Sequence, residues 1–91
     1  MKKRIFNKLY LQRWEELDVG CKLLVIALNR QRFNYYRKEY SLYGDVHYVS
    51  SVDKLIGHDP KTTRVLFVGA WYRRNDGTEL ANCAVSLYEI L

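Results

Sequence analysis

Residues 75–91 read NDGTELANCAVSLYEIL, and the way this stretch folds decides the architecture. As a hairpin turn, Asn75-Asp76-Gly77 sends the chain back antiparallel, because Asn or Asp followed by Gly between apolar runs is a strong hairpin signal. As a helix entry, Asp76 caps a segment in which Leu80, Cys83, Ala84, Leu87, Tyr88 and Leu91 recur at spacings of three and four and share one face. Ala81 and Ala84 in the middle and the three-four spacing favour a helix reaching the end of the chain, with a hairpin strand as the alternative.

Three apolar runs precede this stretch, and the helical reading makes them parallel strands. The first, Lys22–Leu28, is almost entirely Leu, Val and Ile without alternation, which marks a strand covered on both faces and hence the centre of a sheet. Asn29 is placed to cap the next helix, in which Phe33, Tyr36, Tyr40 and Tyr43 recur on one side before the Gly44-Asp45 turn. The second strand spans Val46–Ser50. Ser50 or Ser51 then caps a short helix, Val52–Ile56, closed by Gly57, and Asp59-Pro60 ends the turn because the residue before proline is pushed out of helical geometry. The third strand spans Arg64–Gly69, and Trp71, Tyr72, Arg73 and Arg74 begin an exposed loop.

Upstream, Ile5, Phe6, Leu9, Tyr10, Trp14 and Leu17 share one side of a helix over Ile5–Leu17, with a strand over Lys8–Trp14 as competitor because Leu11 falls on the polar side. Gly20 suits the stop before the first strand. The fold expected is a single α/β domain over residues 1–91. Its small, three-stranded, mostly parallel sheet has the order 2-1-3, is flanked by helices joined through right-handed crossovers, and is Rossmann-like with an N-terminal helix.

Composition narrows the class of function more than it names one. A chain of 91 residues with 48% hydrophobic and 27% charged residues has ordinary globular composition. The longest apolar run, Leu23–Leu28, is far below the roughly 20 residues of a membrane span. Met1-Lys2-Lys3-Arg4 leads into no secretory apolar core, so the protein is read as cytoplasmic. Cys21 and Cys83 have no metal-ligand spacing and are read as reduced core thiols, with no metal site and no cofactor expected.

A parallel sheet presents its binding groups at the carboxyl ends of the strands. Here that edge carries Asn29, Arg30, Ser50, Ser51, Gly69, Trp71 and Arg73. The loop after the first strand, Asn29-Arg30-Gln31-Arg32, has no glycine, which argues against a Walker-type phosphate loop and a dinucleotide fingerprint. His47 and His58 have no nucleophile motif beside them, and Asp45, Asp53, Asp59, Asp76 and Glu79 sit at turns or helix starts, where acids favour the positive end of a helix. No catalytic residue is assigned on these grounds.

Charge supplies the remaining signal. A net charge of +5 and a pI near 9.3 favour an anionic partner. The basic residues gather in three places: Lys2, Lys3, Arg4, Lys8 and Arg13; Arg30, Arg32, Arg37 and Lys38; and Arg73 with Arg74. Tyr35, Trp71 and Tyr72 lie among them, and arginines beside aromatic platforms grip single-stranded nucleic acid and protein hot spots alike. The expectation is a non-catalytic interaction protein that binds a macromolecule, a protein first and nucleic acid second, through Arg30, Arg32, Trp71, Arg73 and Arg74. Self-association as a homodimer is a further route. Such a stand-alone domain is of the kind that viruses and mobile elements encode as accessory or inhibitor proteins. One resemblance supplies the alternative: Gly69-Ala70-Trp71 with Gly77-Thr78-Glu79 and Ala84 loosely resembles the tail of nucleoside deoxyribosyltransferase-like domains, and implies a nucleotide- or nucleoside-handling enzyme with Glu79 as nucleophile. It covers only the last quarter of the chain, and Glu79 stands closer to Gly77 than that pattern has it.

Overall fold

The computed structural model describes residues 21–91, so the expected helix over Ile5–Leu17 and its basic cluster lie outside the described residues. Strand β1 (Lys22–Ile26) leads into helix α1 (Arg30–Glu39), strand β2 (Val46–Tyr48), a 3-10 turn (Val52–Leu55), strand β3 (Thr63–Phe67), a second 3-10 turn (Trp71–Arg73), helix α2 (Gly77–Leu87) and strand β4 (Glu89–Ile90). All pairings are parallel and the order is β2-β1-β3-β4, with four of the five residues of β1 buried. The expected parallel sheet and its 2-1-3 order are therefore present, extended by one strand.

Opposite travel in the sheet places the two helices on opposite faces. The chain moves from β1 outward to β2 through α1, and from β3 the other way to β4 through α2. Parallel crossovers share one hand, so connections running in opposite directions must lie on opposite sides. The core follows this division. Leu23, Val25 and Ala27 pack with Phe33 of α1 and with Leu66 and Val68, while Leu24 and Ile26 pack with Leu80 and Ala84 of α2 and with Val65. Cys21 and Cys83, both reduced and half-buried, belong to opposite clusters and so face away from each other across the sheet.

Local chemistry explains most boundaries. Asn29 has extended backbone and its Oδ1 accepts the Arg32 N–H at 2.8 Å, capping α1, while Arg37 and Lys38 meet the negative end of the helix in its last turn. The strands β1, β2 and β3 end before Ala27, Val49 and Val68, which stay buried, and Val49 and Val68 still donate their N–H groups to the Val25 and Ile26 carbonyls of β1, so the apolar runs read from the sequence continue past the strand ends.

Two expectations are corrected. The terminal helix stops at Leu87, and the last residues form β4 beside β3, so the sheet has four strands instead of three. The reason lies in Tyr88, whose extended backbone (φ −133°, ψ 162°) ends the helix while its buried hydroxyl donates to the Leu55 carbonyl. Leu91 then crosses to the α1 face, burying its side chain in that cluster and donating its N–H to the Val65 carbonyl at 2.8 Å. Further upstream, α1 ends at Glu39 and Tyr43 is 74% exposed, so the apolar face read through Tyr43 stops at Tyr40.

Candidate functional site

The carboxyl edge of the sheet is occupied by the protein's own side chains. Arg74 follows the second 3-10 turn, and its side chain, 8% exposed, lies across the ends of β1 and β2. Its Nη1 donates to the carbonyls of Ala27 (3.1 Å) and Val49 (2.8 Å), and its Nη2 to that of Ser50 (2.9 Å). Asp76 holds the other side of the guanidinium in a two-pronged pair, Nε to Oδ1 at 2.8 Å and Nη2 to Oδ2 at 3.0 Å. Asp76 consequently makes no side-chain cap to α2, contrary to expectation. Only arginine's planar fork reaches all these acceptors together.

The end of β3 is closed by a second device. Gly69 has φ +59°, and a Cβ there would stand 2.7 Å from Cε2 and 2.8 Å from the hydroxyl of Tyr36, so the phenol ring of α1 rests against bare backbone. Glycine satisfies both the left-handed conformation and the close approach. In a parallel sheet the crevice beyond the strand ends is the usual ligand position. Here Arg74 crosses the ends of β1 and β2, and Tyr36 covers the end of β3.

The five residues singled out from the sequence divide by environment. Arg30 and Arg74 come together on Tyr48, their guanidinium carbons 5.0 and 5.8 Å from the ring centroid, and Phe33 touches the same ring at 5.5 Å between centroids. Trp71 is half-buried against Phe67, with centroids 4.5 Å apart in the α2-face core, so it belongs to packing more than to a free loop. Arg32 and Arg73 are exposed, and no carboxylate among the described residues pairs with either. Tyr35 (54% exposed) and Tyr72 (65%) stand on α1 and the second 3-10 turn near these arginines in sequence. Glu79 is exposed in the first turn of α2.

Tyr48 and Tyr36 are the edge residues that sequence reasoning passed over. Tyr48 lies inside the expected strand Val46–Ser50 but is the last residue of β2 in the fold, which places it at the ligand edge. Tyr36, read from the sequence only as part of one side of its helix, packs against the α1-face core and also covers Gly69. Of the two histidines, His47 in β2 is exposed and bonded to Asp45, whereas His58, in the loop after the first 3-10 turn, is half-buried.

These features define a small parallel α/β protein with helices on both faces and a carboxyl edge filled by an arginine clamp and a tyrosine. Comparison of the chain with protein-family models, with curated proteins and with solved structures finds no match in any of the three.

Proposed function

We propose that this protein is a non-catalytic interaction module on a Rossmann-like scaffold, binding an acidic macromolecular surface through exposed arginines and tyrosines around the carboxyl edge of its sheet. One observation carries the reading: the position where such a sheet usually holds a small substrate is spanned by Arg74 through Ala27, Val49, Ser50 and Asp76. Arg30, Arg32 and Arg73 remain at the surface, with the exposed Tyr35 and Tyr72 close to them in sequence, a combination of cation and aromatic area that suits a large anionic partner. A protein is the first partner of this kind and a nucleic acid the second; Trp71 and Arg74 hold the surface in shape.

Retention on an immobilised polyanion, eluted by salt, tests this. The Arg32→Ala, Arg73→Ala double variant should elute at clearly lower salt than the parent while keeping its circular dichroism, because each lost contact reduces the salt dependence. A parent protein that flows through at low salt, or a folded double variant that elutes with it, overturns the proposal.

A further inference from the structure

A second concavity borders the Arg74 clamp at Tyr48, Val49 and Ser50 and extends from there along β2 toward Lys22. It runs from Lys22 at the start of β1, past His47, to Ser50 beyond β2, with the 3-10 turn Val52–Leu55 and its following loop as one wall. Its volume is about 430 Å³, within the range of small-molecule sites. Leu24 and Val49 underlie it and are buried, and the aliphatic surface it presents is Ile56, 60% exposed at its wall.

The polar groups in this groove are cationic and incompletely used. Lys22 Nζ lies 3.2 Å from His58 Nδ1, and His58 Nε2 lies 2.8 Å from the Lys54 carbonyl. An ammonium is donor-only, so Nδ1 accepts and Nε2 carries the proton that it donates to the carbonyl; the ring is the neutral Nε2–H tautomer. Lys22 is therefore half-buried against a neutral partner, with two donors left over and no carboxylate among the described residues paired to it. Lys54 and Arg30 also line the groove, against a single carboxylate, Asp53. Among the described residues that line the groove, three cations face one anion, an excess of two positive charges in a half-enclosed space.

We propose that this groove binds a small phosphate ester, its phosphate taken by Lys22 with Lys54 and its organic part lying against Ile56. A phosphate monoester carries close to two negative charges near neutral pH and matches the excess, where a monocarboxylate leaves half of it uncompensated. The spare donors of Lys22 supply charge-assisted hydrogen bonds. The exposed aliphatic side chain of Ile56 is what distinguishes an ester from free phosphate. This site goes beyond the macromolecular surface proposed above; it shares Arg30 with that surface and borders the Arg74 clamp at Val49 and Ser50, while Lys22, Lys54 and Ile56 are its own.

Titration of the isotopically labelled protein with phenyl phosphate, inorganic phosphate and benzoate, followed by two-dimensional NMR, tests the assignment. Saturable shifts should gather at Lys22, Ser50, Lys54 and His58, with phenyl phosphate binding tightest of the three. Lys22→Gln should weaken phenyl phosphate binding by about tenfold or more, as loss of a charged hydrogen bond does. Lys54→Gln, at an exposed position, provides the same reading should Lys22→Gln fail to fold. The Arg32→Ala, Arg73→Ala variant should bind phenyl phosphate as the parent does, even if the polyanion proposal fails. Absence of shifts in the groove, equal affinity for benzoate, or an affinity that a folded Lys22→Gln or Lys54→Gln protein retains overturns the proposal.

Discussion

Arg74 shows how residue type and position can mislead about role. In the sequence it is one of two adjacent arginines after a tryptophan and a tyrosine, and nothing local separates it from Arg73. In the fold Arg73 is exposed, while Arg74 is folded under the edge of the sheet and satisfies three backbone carbonyls that no strand partner reaches. Those carbonyls come from positions 24 to 47 residues away, so no local pattern announces them. Arg74→Ala should cost on the order of 3 kcal/mol, since it strands buried acceptors and leaves Asp76 unpaired. Arg74→Lys should recover little of this, because a point charge cannot copy the fork. Urea unfolding of the two variants beside Arg73→Ala, which should lie within about 0.5 kcal/mol of the parent, checks the assignment.

At the scale of elements, the C-terminal stretch contains two structures where one period was visible. The spacing of Leu80, Ala84, Tyr88 and Leu91 continues the helical repeat, yet Leu91 is buried on the face opposite Leu80. A helix cannot place both there. The extended turn at Tyr88 followed by a strand can, because Ile90 then faces the α2 side beside Val65 while Leu91 turns to the other. Strand β4 also covers β3, with Glu89 paired to Arg64 at 3.1 Å, and so shields an edge that would otherwise invite association. Leu91→Ala should therefore cost about 2–4 kcal/mol, the usual range for an emptied core leucine. Val85→Ala, at a position 67% exposed, should be close to neutral in the same denaturation measurement. A neutral Leu91→Ala would mean that the chain end is not part of the core.

Across the whole molecule, Tyr88 couples stability to pH. Burial raises its phenol above the ordinary value of 10.0, and the protonated form is the one that donates to Leu55. The folded state thus holds this proton more tightly than the unfolded chain. The resulting stability is complete below about pH 10 and is lost as pH rises through the raised native value. Tyr88→Phe should lower stability at neutral pH by about 1 kcal/mol through the lost hydrogen bond and flatten the decline above pH 10. Chemical denaturation from pH 7 to 11 measures both effects, and an equal alkaline decline in the two proteins would remove Tyr88 as its source.

By itself the sequence determined the parallel α/β character, the central place of β1 and the Asn29 cap. These rest on local signals: an unbroken apolar run, a helical repeat and a capping side chain, each carried by neighbours in the chain. Tertiary structure alone decided which arginine is clamp and which is surface, that Tyr36 lies against Gly69, that Lys22 meets His58, and that the chain ends in a strand. Each of those outcomes depends on groups brought together from distant parts of the chain, and what satisfies a buried carbonyl or a free ammonium is set by the neighbours that folding supplies.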